Sequence, residues 1–306
     1  MTSARADLRA RAGPACQDGE VDLAIWAAGR LHAPDEPVLT AVDHGLTVGD
    51  GVFETCSVHD GRAFALTRHL ARLARSAAGM GLEVPVDEVD EGVHAVLAAV
   101  GPHAGRLRIT VTGGPGPMGS HRLPADEQRP TVVVVAGPAA PSAVARVVRV
   151  PWVRNERSPL AGLKTTSYGE NVVALARAHA AGADEALLAD TRGRLCEGTG
   201  SNVLVERDGE LLTPSLATGA LAGITRELLL EWGPQAGLPV REAAPDELPW
   251  EVLDEVGAGR AGLALTGSVR NVTPVVALDG AEVAVGPLSA EARRVFLARM
   301  ADDIDP

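Results

Sequence analysis

The chain has 306 residues, enough for two modest domains or one large one, and with 46% hydrophobic but only 3% aromatic residues its core must be built from Ala, Val and Leu. Its 28 basic and 40 acidic residues leave a net charge of −12, which disfavours nucleic acid and anionic membranes unless a basic run overrides it, and there is none. No apolar stretch reaches the roughly 20 residues that span a bilayer.

The first twenty residues are polar, lack the apolar run of a signal peptide, and are expected to be a disordered extension. Cys16, Cys56 and Cys196 are odd in number and unrelated in spacing, so they suggest neither a disulfide framework nor a metal site. A reducing cytoplasm is the natural compartment.

In chain order, "VDLAIWAAGRLHA" reads as a hairpin turning near Gly29, and "GVFETCSVHDGRAFAL" as two strands joined at Asp60-Gly61. Leu66, Leu70, Leu73, Ala77 and Met80 form one helical stripe, with Gly81 as its stop, and "EVDEGVHAVLAAV" is a second helix. "GRLRITVTGG" and "TVVVVAG" are strands, the latter apolar enough to be buried on both faces. The Pro- and Ala-rich run from Gly137 to Ala143 is the expected boundary. This divides the chain into a small α/β domain over 21–137, a linker over 138–143 and a larger domain over 144–306.

The second half opens with the strand "ARVVRVPWV", followed by the loop that carries Lys164 and the helix "GENVVALARAHAAGA". "DEALLAD", "TRGRLCE" and "SNVLVERDGELLTP" read as strands and hairpins. "ITRELLLEWGPQAG" is a helix in which Thr225 is the expected N-cap and Ile224 and Leu229 a hydrophobic staple. "ALTGSVRNVTPVVAL" is a strand broken by a Gly-Ser turn. The pattern is α+β in both halves.

Lys164 is the only lysine, in a chain that uses arginine everywhere else, and the only tyrosine, Tyr168, lies four positions on. An amine can lose its proton and attack a carbonyl, whereas a guanidinium cannot. The apolar "LAGL" before Lys164 predicts burial, which lowers an amine's pKa. Two readings stand: an imine-forming lysine, or a remnant of codon bias. Tyr168 is either a hydrogen-bonding partner for such a site or a half-buried core phenol. An imine-forming lysine most often serves pyridoxal phosphate. That cofactor needs a carboxylate at its pyridine nitrogen, a phosphate cup of helix N-terminal amides and hydroxyls, and usually an arginine on the phosphate.

"VDHGLTVGDGVFET", "RHLARL", "GLKTTSYGENV", "LCEGTGSNVLV", "LAGITRELL" and "LTGSVRNVTPV" occur in that order. Together they resemble the class IV aminotransferases, the fold-type IV pyridoxal 5'-phosphate enzymes, over nearly the whole chain. The resemblance implies a two-domain fold, with a small N-terminal α/β sandwich and a larger C-terminal β-barrel-like domain with helices. It also implies a homodimer acting on a small-molecule amine. Carried over residue by residue, Lys164 matches the Schiff-base lysine and Glu197 the carboxylate at the pyridine nitrogen. Ile224, Thr225 and Ser268 match the phosphate cup, Arg72 the phosphate-binding arginine, and Tyr168 the tyrosine at the ring oxygen. On the helical wheel Arg72 lies about 120° from the centre of the apolar stripe, where most arginines are solvated.

Within the family, the "FEGxR" run typical of branched-chain enzymes is replaced by "FETCS", and the "TRG" arginine typical of D-amino acid enzymes by Gly113. "GDGVFET" and "LTGSVRNVTPV" look more like the 4-amino-4-deoxychorismate lyases, with Thr55 where those place a threonine near the substrate. The implied reaction yields 4-aminobenzoate and pyruvate, with Lys164 removing the proton at the aminated carbon. The alternatives are an aminotransferase for branched-chain, D- or (R)-amines, and a non-catalytic cofactor-binding paralogue. Two departures stand out. His44 sits where an arginine is common, and "GAGRAG", Gly257 to Gly262, reads as an insertion at the pocket rim.

Overall fold

A computed structural model describes residues 23–306. The expected N-terminal extension, and Cys16 with it, lie outside the described residues. Strands β1 (Ala24–Ala27) and β2 (Arg30–His32) form the first hairpin, turning through Ala28 and Gly29 with φ of 49° and 77°. A short helix α1 (His44–Thr47) precedes β3 (Gly51–His59), which pairs with β4 (Arg62–Ala63). Asp60 and Gly61 make that turn with φ of 50° and 73°, two left-handed residues in succession as a tight hairpin requires. Helices α2 (Leu66–Met80) and α3 (Val86–Val100) follow, then β5 (Arg106–Thr112) and β6 (Thr131–Gly137). Gly81, at φ 65°, closes α2 as its stop.

These strands form one antiparallel six-stranded sheet in the order β2-β1-β6-β5-β3-β4. Both long helices pack on one face of it, over Val52, Cys56, Leu107, Ile109, Val132 and Val134. The expectation that "TVVVVAG" is buried on both faces is corrected. Val132, Val134 and Ala136 are buried, whereas Thr131, Val133 and Val135 are half-buried on the helix-free face. Its composition is apolar throughout because that second face is partly covered rather than solvated.

The remaining strands build a second, nine-stranded mixed sheet, ordered β12-β11-β10-β13-β14-β7-β8-β9 with β15 beside β14. In chain order its elements are β7 (Ala145–Arg154), α4 (Gly169–Ala180), β8 (Glu185–Asp190), β9 (Leu195–Gly198), β10 (Asn202–Arg207) and β11 (Glu210–Thr213). Then come α5 (Ile224–Gln235), β12 (Val240–Glu242), α6 (Val252–Gly257), β13 (Gly262–Gly267), β14 (Asn271–Leu278), β15 (Ala281–Glu282) and α7 (Pro287–Asp302). The sheet curls into a half-barrel. One core holds Leu187, Leu195, Val203, Leu263 and Leu265 under α6, and another packs α5 and α7 around Phe64, Trp232 and Phe296. The break expected in "ALTGSVRNVTPVVAL" at Gly-Ser is the β13–β14 turn, and the two pieces pair as a hairpin. Among the described residues no helix is long and apolar enough to cross a membrane.

Two further expectations are corrected. The N-cap of α5 is Gly223, with Ile224 and Thr225 in the first turn, so Ile224 and Leu229 do not form a staple. A side chain at Gly223 would collide with Asn202 Oδ1, which leaves glycine as the residue that fits. The Gly257–Gly262 run is the turn from α6 into β13, whose opposite end, Gly267, is the one that reaches the pocket.

Candidate active site

Lys164 belongs to the second half of the chain but is held by the first. Its carbonyl accepts from Phe53 N at 3.1 Å, Thr166 N donates to Gly51 O at 2.8 Å, and Ser76 Oγ on α2 accepts from Lys164 N at 3.1 Å. The loop thus runs as a short extra strand beside the start of β3. The Lys164 Nζ lies 4.4 Å from the centre of the Phe53 ring, which also meets Tyr168 edge-on at 5.3 Å. Burial lowers the Lys164 amine to about 8, against a partial counter-pull from Glu54 and with help from Arg72. Burial raises the Tyr168 phenol to about 12, so it stays a neutral hydrogen-bond donor.

An inner cleft of about 50 Å³ brings together Arg72, Lys164, Tyr168, Glu197, Ile224, Thr225 and Ser268. Gly223 O accepts from Glu227 N, so the amides of Ile224, Thr225 and Arg226 precede the first intrahelical bond of α5 and are free for an anion. Two buried hydroxyls of the same cleft, Ser201 Oγ and Thr266 Oγ1, have no hydrogen-bond partner. Orphaned buried hydroxyls beside helix N-terminal amides and a guanidinium fit a phosphate group.

Glu197 is buried, which raises its carboxyl above the usual range against the pull of Arg154. Arg154 Nε donates to its Oε1 at 3.1 Å and Leu221 N to its Oε2 at 2.9 Å. A carboxyl group fixed by Arg154 and the Leu221 amide at a glycine-rich turn is placed to face a pyridine nitrogen. Arg72 is 4% exposed, not solvated. The buried face of α2 includes His69, Arg72 and Ser76 beside Leu73 and Ala77, so a wheel weighted by hydrophobicity misplaces its centre. Arg72 donates to both oxygens of Glu54 at 2.7 Å and to Ala222 O at 2.8 Å, while His69 Nδ1 lies 2.7 Å from Glu54 Oε2. Burial opposes ionisation of Glu54, yet Arg72 and His69 outweigh it and hold the carboxyl at about 2. Ser268 Oγ is 3.4 Å from His69 Nε2, which links the β13–β14 turn to this cluster.

Thr55 is not in the inner cleft. It lines a larger cavity of about 450 Å³ that also borders Lys164, together with Phe53, Tyr168, Ser268, Arg106, Arg108 and Arg270. Sequence reasoning missed Glu54, His69, Arg154 and Arg108. Glu54 carried a readable signal, because it shares a strand face with the inward-facing Val52 and Cys56 on β3 and so had to be a buried charge. Arg154 ends β7 with no local pattern to mark it.

His44 lies outside the site. It is 1% exposed, and its Nε2 lies 2.9 Å from Pro117 O, so it props the loop after β5. That loop explains Gly113: a Cβ there would come within 2.7 Å of Asp50 Oδ2, and Asp50 is clamped by Arg122 Nε at 2.7 Å. A side chain at Gly113 would have to displace the clamped Asp50 carboxylate.

Residues 51–278 match the family described as amino-transferase class IV. A Methanocaldococcus jannaschii protein provisionally described as a branched-chain-amino-acid aminotransferase is 31% identical, over 84% of this chain and 88% of its own. A D-alanine aminotransferase of Listeria monocytogenes is 28% identical, over 90% of this chain and 95% of its own. The crystal structure of 4-amino-4-deoxychorismate lyase from Pseudomonas aeruginosa superposes with a TM-score of 0.75 at 30% identity, covering 92% of this chain and all of that one.

Proposed function

The chain belongs to the class IV amino-transferase family, and within it we propose a lyase that converts 4-amino-4-deoxychorismate to 4-aminobenzoate and pyruvate. The observation that carries this reading is the cavity in front of Lys164, whose wall bears Arg106 and Arg108, besides Arg270 paired with Glu185 and the carboxylate of Asp184. The two arginines left, among the described residues, without a carboxylate partner there favour an anionic substrate. Gly113 supports it further, since the strand-end arginine typical of D-amino acid enzymes would have to displace the Arg122-clamped Asp50 carboxylate there.

The family depends on pyridoxal 5'-phosphate. In this chain Arg72, Ser268 and the amides of Ile224 and Thr225 would hold its phosphate, Glu197 its pyridine nitrogen, Tyr168 its ring oxygen, and Lys164 its aldehyde carbon. When bound, the cofactor supplies an electron sink for charge developing at the aminated carbon. Lys164 Nζ, with a pKa near 8, takes the proton from that carbon. The carbon–oxygen bond to the enolpyruvyl group then breaks, its electron pair leaving on oxygen, and the ring becomes aromatic. The Thr55 hydroxyl, on the same cavity wall, would donate a hydrogen bond to the departing oxygen.

The second reading is an aminotransferase for branched-chain, D- or (R)-amines, favoured by what the relatives are named. Incubation of the loaded enzyme with aminodeoxychorismate and no keto acid separates the two. Equal formation of 4-aminobenzoate and pyruvate is expected. A loaded enzyme that forms neither, yet exchanges an amine with a keto acid, is an aminotransferase. A Lys164→Ala variant that keeps full turnover contradicts both readings.

A homodimer is part of the same proposal. Trp152, Val153, Val172 and Val173 are 46%, 47%, 63% and 55% exposed on neighbouring parts of β7 and α4, an apolar surface suited to a second copy. Light scattering that finds a monomer rejects it.

A further inference from the structure

The inner cleft offers a phosphate less positive charge than its residue types suggest. Arg72, the guanidinium that would meet the phosphate, already has its counter-charge, because it donates to both oxygens of Glu54 at 2.7 Å. The two are buried and together neutral, so a dianion would bring two negative charges to a cluster that has no net charge to meet them. One neighbour can respond. His69 is 1% exposed and does not itself line the cleft. The charges acting on it are those of Glu54 on β3, Arg72 one turn along its own helix and Lys164 on the loop beside β3. The Cys56 thiol, on the same strand face as Glu54, stays neutral because burial pushes it far up.

Glu54 is ionised and can only accept, so the His69 Nδ1 that lies 2.7 Å from its Oε2 carries the ring proton. The lone pair of Nε2 is left facing Ser268 Oγ at 3.4 Å, where the Ser268 hydroxyl can donate to it. That hydroxyl has one proton to give. Turned to a phosphate oxygen, it leaves two lone pairs, on Ser268 Oγ and His69 Nε2, facing each other. A second proton on the imidazole removes the conflict, since Nε2–H then donates to Ser268 Oγ and the cluster gains a positive charge beside the anion.

We propose that His69 is a positioning residue that couples anion binding in the cup to uptake of one proton: without the anion the imidazole is neutral and accepts from Ser268, and with a dianion bound it is charged, donates to Ser268 and holds that hydroxyl turned to the anion. The inference rests on the reading of the inner cleft as a phosphate cup, and not on which reaction Lys164 serves. Burial holds the imidazole below the ordinary histidine range, against the pull of Glu54. By linkage, the anion favours the proton by the same factor as the proton favours the anion. Affinity for a dianion is therefore highest in acid. It falls as pH rises above the titration point of the free site and levels off above that of the occupied one.

Sulfate is the probe, because it stays a dianion over the working range and has no aldehyde to react with Lys164. Lys164→Ala is the parent, since the amine itself titrates at about 8. With nitrogen-labelled histidine at about pH 7, one imidazole of this protein should be neutral with its proton on Nδ1, shift to the doubly protonated form on addition of sulfate, and be missing from the spectrum once His69→Gln is added. Loading the wild type with pyridoxal 5'-phosphate should produce the same change, and pyridoxal, which lacks the phosphate, should not. Between about pH 6 and 8 the sulfate Kd should rise at least about fivefold, most of the tenfold that one pKa unit is worth, and by less than about twofold with His69→Gln. A bound anion with His69 still neutral overturns the assignment. So does an imidazole already charged without the anion, one that gains its proton equally with pyridoxal, or a Kd as pH-dependent in His69→Gln as in its parent. A protein that takes up neither sulfate nor pyridoxal 5'-phosphate removes the phosphate-cup reading and this inference with it, whereas uptake without protonation removes this inference alone. If His69→Gln fails to fold, the parent spectrum decides: one buried imidazole gains a proton on binding, or none does.

Discussion

The two sides of Lys164 are wired differently. Of the charges lining the inner cleft, Arg72 is held by Glu54, which also meets His69, and Glu197 by Arg154 and the Leu221 amide. In the outer cavity Arg108 has, among the described residues, a ring and a threonine for partners. A paired cluster is positioned before any ligand arrives, and removing one partner leaves the other buried and uncompensated. A charge left without a counter-ion is held in reserve for one. The first arrangement suits a resident group, the second a substrate that comes and goes.

Mutations should reproduce that contrast. The largest effect is expected at Glu54. Glu54→Ala leaves Arg72 buried without its counter-charge and should cost about 3–5 kcal/mol in denaturant unfolding, whereas Arg108→Leu should cost less than about 1 kcal/mol. Equal costs would erase the distinction. Gly113→Ala pushes a methyl group against the clamped Asp50 carboxylate and should cost about 1–3 kcal/mol in thermal melts.

A smaller effect is expected far from the chemistry. Helix α2, which carries Arg72, has no side-chain cap of its own at Ala65. Asp305 supplies one from the other end of the chain, accepting from Thr67 N at 2.9 Å and from Thr67 Oγ1 at 2.6 Å. Asp305→Ala should therefore cost about 1 kcal/mol, measurable by chemical denaturation.

The mildest probe is pH. Below about 8 the Lys164 amine is protonated and cannot attack, and above it the lone pair is free. Cofactor uptake by the stripped protein should rise with pH through about 8 and then level off. A rate still climbing at about pH 10 would mean that Lys164 titrates like an ordinary exposed lysine.

Much of this was readable from local pattern. Asp60-Gly61 and the Leu66–Met80 stripe located the hairpin and the helix that flank the site. The singular Lys164 pointed to its loop. Three kinds of feature were not readable. Helix α7 escaped notice because its buried face mixes Ser289 and Ala292 with Val295 and Phe296 among arginines, which blurs the apolar period. The cap of α5 fell on Gly223 because the Asn202 side chain occupies the space a larger residue would need, a contact between distant segments. The difference between Arg72 and Arg108 is likewise tertiary. Both are arginines on regular elements, and only the fold gives one a carboxylate and the other an aromatic ring.

The central claim is that Lys164 is the amine that holds the cofactor. Borohydride reduction of the loaded protein, followed by digestion and mass spectrometry, tests it directly. The account predicts a reduced pyridoxyl-phosphate adduct on the peptide containing Lys164, lost in Lys164→Ala. A loaded wild-type protein whose Lys164 peptide stays unmodified after reduction would contradict it.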